Sequence, residues 1–227
     1  MIKKIIIAGD SHTRSFGYRD NILPVFFGPG KEFNLNPKSV KKVQKAINLL
    51  YAKYDSINSD IYLYLGEPNV RFQLGYGWYP HLESKVVSKI DKEYLQICAE
   101  NYIRLAKLNN ASIITPTTGF NPMLSPMHYF NQLILKQEEV KIIDLFSGTL
   151  SGSMVNPFFL NKDLNNDPIH LNSNIADLFI EKACLNRKKY SKMNNIKVVD
   201  SNDLKFGTIK LYNKSLKNRF INFIRGF

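Results

Sequence analysis

The chain is apolar without interruption from Ile5 to Ala8 and then stops at Gly9-Asp10-Ser11. A run that short, closed by glycine and polar residues, predicts a buried strand over residues 2–8. Residues 22–28 read as a second short strand that ends at Gly28-Pro29-Gly30. The period then changes. Asn36-Pro37-Lys38-Ser39 is a helix start, and Val40, Val43, Ala46, Ile47 and Leu50 follow at helical spacing. The run Asp60–Leu65 predicts a strand leading into Gly66-Glu67-Pro68-Asn69, and the glycine- and aromatic-rich stretch 71–80 predicts a loop. Residues 84–108 carry Ile90, Tyr94, Ile97, Cys98, Ile103, Leu105 and Leu108 as apolar positions of a helix that Asn109-Asn110 should end. A strand over 111–115 stops at Pro116, a helix spans 126–137, and a fifth strand spans 140–145. The Ser-, Gly-, Asn- and Pro-rich stretch 146–166 predicts a long surface loop before a helix that runs from Leu171-Asn172-Ser173 to about Tyr190.

Strands alternating with helices in this way predict a mostly parallel five-stranded sheet with helices on both faces. The rhythm breaks near residue 194. Residues 196–199 and 208–212 suit a small hairpin appendage. Leu216, Phe220, Phe223, Ile224 and Phe227 then recur on one helical stripe, with Lys214, Lys217, Arg219 and Arg225 supplying charge. The expected division is a main domain over 1–193 and a hairpin with a basic amphipathic tail over 194–227. That tail suits packing on its own domain, self-association or a peripheral membrane surface.

Length and composition narrow this picture. The chain has 227 residues, 44% hydrophobic and 12% aromatic, enough for one globular core. Cys98 and Cys184 both fall in expected helices and read as small apolar core residues. The apolar run after Met1-Ile2-Lys3-Lys4 is too short for a secretory signal, and no run approaches the roughly 20 residues of a membrane span. A cytoplasmic protein is expected. A net charge of +12 favours anionic partners in general, but no nucleic-acid motif accompanies it, so no nucleic-acid partner is expected.

Candidate chemistry gathers at two distant places. Ser11 sits at the carboxyl end of the first strand, where open α/β sheets place their ligands. The helix start expected there would offer N–H groups and a positive dipole end to an oxyanion. Far downstream, Asp167-Pro168-Ile169-His170 sets a carboxylate and an imidazole three positions apart. A nucleophile, a base and a group to orient the base are therefore all available. On its own, the second motif reads as a capping turn before the last helix, and Gly9-Asp10-Ser11 after the first strand tips it to chemistry. Of the other histidines, His12 should point away from Ser11, and His81 and His128 lack metal-ligand spacing. No metal site or cofactor is expected. There is no Gly-x-Ser-x-Gly elbow, Walker loop or dinucleotide fingerprint.

Together, Gly9-Asp10-Ser11 after the first strand and Asp167-x-x-His170 near the end resemble the SGNH (GDSL) hydrolase family over roughly residues 1–190. The resemblance implies a three-layer α/β/α flavodoxin-like fold and a serine esterase working through an acyl-enzyme. It implies Ser11, Asp167 and His170 as the catalytic triad. The oxyanion hole would be the backbone of Ser11, a glycine matching Gly28 (or Gly30), and an asparagine. The asparagine block departs from the family pattern. Pro68 stands at the asparagine position and Asn69 follows one place late. Proline has neither a backbone donor nor a side-chain amide. Gly66-Glu67-Pro68-Asn69-Val70-Arg71 is similar to a variant block of relatives associated with surface-polysaccharide and glycan genes. That similarity implies an O-acyl ester, O-acetyl above all, on a carbohydrate or glycan precursor. As substrate-binding candidates, Arg71 suits a bidentate grip on a carboxylate or phosphate, and Trp78, clustered with Tyr76 and Tyr79, suits sugar stacking or an acyl pocket, though such a cluster more often packs under a loop. Arg71 reads equally as an ion-pair partner of Glu67. Transfer of the acyl group to a sugar hydroxyl, or glycan binding and assembly without turnover, are the alternatives on the same scaffold.

Overall fold

The computed structural model describes residues 4–28, 32–54, 59–73, 90–161, 169–193, 195–200 and 210–213. The expected strands are β1 (Lys4–Gly9), β2 (Ile22–Phe26), β3 (Ser59–Tyr64), β4 (Ser112–Ile114) and β5 (Ile142–Ile143). They lie side by side as β5-β4-β3-β1-β2, all parallel. The chain steps from β1 out to β2, then crosses β1 to reach β3. That reversal opens a crevice at the carboxyl ends of β1 and β3, the place where doubly wound sheets bind ligands.

Past β5 come a two-stranded ribbon, β6 (Leu150–Ser151) and β7 (Met154–Val155), and later β8 (Asn195–Asp200) and β9 (Lys210–Asn213). β8 pairs parallel with β2 through Val25–Val199 and Phe26–Asp200, and β9 runs antiparallel to β8. The expected C-terminal hairpin is therefore no separate appendage: it extends the five strands to a seven-stranded sheet. β2 would otherwise be an open edge. Pairing begins one residue past Pro24, which has no N–H for a ladder, and it buries Val198 and Val199.

The helices are α1 (Val40–Lys53), α2 (Glu67–Gln73), α3 (Lys92–Leu108), α4 (Leu124–Leu135), α5 (Leu145–Gly148) and α6 (Asn174–Lys182). Three depart from expectation. α2 occupies the start of the expected loop. Glu67 suits the positive end of a helix, and Pro68 sits where its missing N–H costs nothing. α5 cuts the fifth strand to two residues, because the Asp144 carboxylate accepts the Ser147 N–H (3.2 Å) and starts a helical turn. α6 ends well short of Tyr190. Cys184 just beyond it takes a left-handed backbone (φ 55°), which leaves that thiol exposed rather than in the core. Cys98 is buried in α3.

Alternation along each strand divides the core in two. Ile6, Ala8, Ile61, Leu63 and Ile113 face α1, α3 and α4. Ile5, Ile7, Tyr62, Tyr64 and Ile114 face the opposite layer, built on Leu145, Ile175, Phe179 and Ile180. The result is the three-layer α/β/α architecture. Among the described residues, no helix is long and apolar enough to cross a membrane.

Tyr102 of α3 secures the strand ends that carry the crevice. Its buried hydroxyl donates to the Leu63 carbonyl (2.5 Å) and accepts the Leu65 N–H (2.9 Å). Tyr102→Phe strands a buried N–H and is expected to cost about 1–3 kcal/mol. Urea unfolding checks this as a lower midpoint with an unchanged slope.

Candidate active site

Ser11 leaves the carboxyl end of β1 with almost no slack. A Cβ on Gly9 would lie 1.9 Å from the Tyr64 carbonyl oxygen, so only glycine lets β1 end so close to β3. Asp10 then caps the turn. Its carboxylate accepts the His12 N–H (3.0 Å) and its carbonyl accepts the Thr13 hydroxyl (2.9 Å). Ser11 opens a 3-10 turn, Ser11–Phe16, in place of the expected α-helix. Such a short turn carries little macrodipole, so fixed donors matter more here than the helix field.

His170 comes from a segment pinned on three sides. Gly119 N–H donates to the Ile169 carbonyl (2.7 Å), the Asn161 amide to the His170 carbonyl (2.5 Å), and the Ser15 hydroxyl to the Leu171 carbonyl (2.7 Å). Ile169 and Leu171 are buried on either side of it. The imidazole Nε2 lies 2.7 Å from Ser11 Oγ, a hydrogen bond between residues 159 positions apart in the chain. That is the reach a general base needs.

Behind this pair lies a buried polar cluster that extends the site. The His12 ring packs on that of His170, with centroids 4.5 Å apart and planes tilted by 41°. His12 Nε2 lies 3.4 Å from Glu67 Oε2, a charge contact too poorly directed to count as a hydrogen bond. Arg71 Nε donates to Glu67 Oε1 (2.9 Å), one helical turn along α2. His12, Glu67 and Arg71 are all buried. Burial opposes charge on Glu67, but Arg71, followed by His12, outweighs it and holds the carboxyl at about 2. Burial likewise opposes a charged His12, yet Glu67 and Asp10 push its pKa above the ordinary imidazole value. Asp10 goes the other way. Burial raises its pKa, His12 only partly counters this, and its Oδ2 finds no hydrogen-bond partner among the described residues.

The remaining sequence candidates divide. Gly28 stands beside the end of β1, because Phe27 N–H donates to the Gly9 carbonyl (2.8 Å). Its φ of 142° favours glycine, and a Cβ there would strike the Phe33 ring at 2.4 Å. The Asn69 side chain is engaged away from the Ser11–His170 pair. Its amide nitrogen reaches Tyr94 Oη (3.1 Å) and Cys98 Sγ (3.3 Å), and its oxygen accepts the Leu35 N–H (3.1 Å). These bonds anchor the chain before α1. Arg71 is buried against Glu67 and stacked over Phe72 rather than presented to solvent. Asp167, Trp78, Gly30, His81 and the tail helix over 214–227 lie outside the described residues. Sequence reasoning left His12 either behind the site or on the surface, and the structure buries it against His170. It did not foresee the Glu67 contact, whose signal was Glu67 and Arg71 spaced to meet on one helix turn directly after the strand that flanks β1. Among the described residues, no cluster of histidine, cysteine and acidic side chains is arranged to hold a metal ion.

No family model and no curated protein sequence matches the chain. Among solved structures, it is similar to LAE5, an alpha/beta hydrolase enzyme from the metagenome of Lake Arreo, Spain. The two share 17% identity at a TM-score of 0.51, over 81% of this chain and 96% of that one. At that identity the likeness is one of fold: an α/β protein.

Two outcomes follow from this geometry. Asn69→Ala should destabilise by about 1–3 kcal/mol through the orphaned Leu35 N–H, while the folded protein keeps the reactivity of Ser11. Glu67→Gln leaves Arg71 buried beside a neutral group and should cost about 3 kcal/mol or more at pH 7. The folded Glu67 titrates below its ordinary 4.5, so its contribution is present above 4.5 and fades as pH falls towards about 2. Unfolding measured at pH 7 and pH 3 should show the gap between variant and wild type shrinking in acid.

Proposed function

We propose that this protein is a serine esterase of the SGNH type acting on an O-acyl ester, O-acetyl above all, of a carbohydrate or glycan precursor. The observation that carries the reading is the 2.7 Å contact between Ser11 Oγ and His170 Nε2 at the crevice where the sheet reverses. His170 Nε2 takes the Ser11 proton as Oγ attacks the ester carbonyl carbon. The backbone N–H groups of Ser11 and Gly28 are assigned to the developing oxyanion, as the family resemblance implies. His170 returns the proton to the departing sugar oxygen, leaving the acyl group on Ser11. Water, deprotonated by His170, then releases the acid and frees the serine. Asp167 is assigned to the second imidazole nitrogen, which fixes the tautomer.

With Asn69 turned elsewhere, the oxyanion hole relies on two backbone donors. One lost donor typically costs about 3 kcal/mol of transition-state stabilisation, so slow turnover is expected. The carbohydrate substrate rests on the resemblance of the Gly66–Arg71 block. A fluorophosphonate serine probe tests the mechanism: wild type should be labelled, while Ser11→Ala and His170→Ala should not. A panel of acetyl esters and acylated sugars then tests the substrate, and acylated acceptor outrunning free acid would favour transfer. A folded wild type that never labels would overturn the esterase and leave glycan binding.

A further inference from the structure

A catalytic imidazole needs a fixed ring plane as well as a fixed backbone. The hydrogen bonds of Gly119, Asn161 and Ser15 hold the main chain around His170. A second imidazole lies against the ring itself. His12 stacks on His170 at 4.5 Å and is locked in turn: its N–H is held by Asp10, its Nε2 faces Glu67, and Glu67 is held by Arg71. The groups converge from separate elements. Asp10 and His12 follow β1, Glu67 and Arg71 belong to α2, and His170 precedes α6. The Tyr64 ring of β3 meets His12 edge-on at 6.1 Å. Four buried polar side chains behind one catalytic pair are costly to desolvate, and the ester cleavage described above uses none of them directly.

We propose that His12 is a positioning residue for the Ser11–His170 pair, clamped by Glu67 and Arg71 so that its ring holds the His170 imidazole in the plane from which it takes the serine proton. The inference rests on the esterase reading. The clamp is a charge contact, so it is strongest with His12 protonated. It weakens as pH rises through the raised pKa of His12 and the buried Glu67 is left with Arg71 as its one cationic neighbour in the cluster. Activity therefore has an alkaline limb, set by the loss of charge on His12. Removing the negative charge of Glu67 lowers the pKa of His12 and draws the alkaline limb to lower pH.

The test compares wild type, Glu67→Gln and His12→Phe as full chains, each checked for folding by near-UV circular dichroism. Fluorophosphonate labelling rates across pH give the alkaline limb, and NMR titration of the imidazole resonances follows each histidine in the resting protein. Glu67→Gln should move both the His12 titration and the alkaline labelling limb to lower pH. His12→Phe, which keeps a ring against His170, should abolish that limb. A purely structural role would lower stability and leave the profile in place, so unchanged limbs in folded variants overturn the proposal. If His12→Phe does not fold, Glu67→Gln alone decides. If wild type never labels, the esterase reading fails on its own account. The imidazole titrations then stand as the readout: a His170 titration unchanged by either variant overturns the proposal, and a shifted one supports it.

Discussion

The approach of the Gly9 backbone to the Tyr64 carbonyl governs the site. β1 and β3 are parallel neighbours, and their carboxyl ends meet so closely that no side chain fits between them. That contact sends Asp10, Ser11 and His12 over the crevice from one strand, and Gly66, Glu67 and Arg71 from the other. Tyr102 holds the β3 end through Leu63 and Leu65, so α3 takes part in aligning the crevice from the far face of the sheet. A larger residue at position 9 would part the two strands, and Ser11 and the buried cluster would separate with them.

The cluster is an uneven arrangement of charge. Glu67 is strongly acidic between Arg71 and His12, while Asp10, immediately before Ser11 in the chain, is held towards its protonated form by burial. Two carboxylates in one small volume are driven apart in pKa by their partners: one has a guanidinium, and the other has a backbone N–H and a His12 charge that only partly offsets its burial. Such a group is kept at a site rather than in a core because well-packed apolar residues would be at least as stable there. The esterase reading gives the cost a use beside Ser11 and His170.

His170 depends on an entirely different set of contacts. It arrives after the irregular stretch past β5, whose turns are tied down one by one. Asn172 reaches the carbonyls of Phe158 and Leu160, Leu160 bridges to Leu171, and Asn161 holds His170 itself. Read as sequence, this stretch is a polar surface loop. Asn156, Asn161 and Asn172 instead serve as side-chain hydrogen-bond partners for the backbone there.

The periods of the sequence were enough to determine the alternation of five strands with helices and the placing of Ser11 at a strand end. Burial of an apolar run and the spacing of Val40 to Leu50 are local facts about the chain. The pairing of Ser11 with His170 was legible only as a juxtaposition of motifs, since nothing local ties residues 159 positions apart. Only tertiary structure decided the rest. The terminal hairpin became part of the sheet because β2 offered an unpaired edge. Asn69 is tied to Leu35 and Tyr94, partners that only the packing of α2 brings to it. His12 was expected to point away from Ser11. It became a buried wall of the site because Glu67 and Arg71, remote in sequence, supply the charge that lets an imidazole be buried there. Side-chain direction and buried charge depend on what the fold packs opposite a residue, and the pattern of the chain itself does not contain that information.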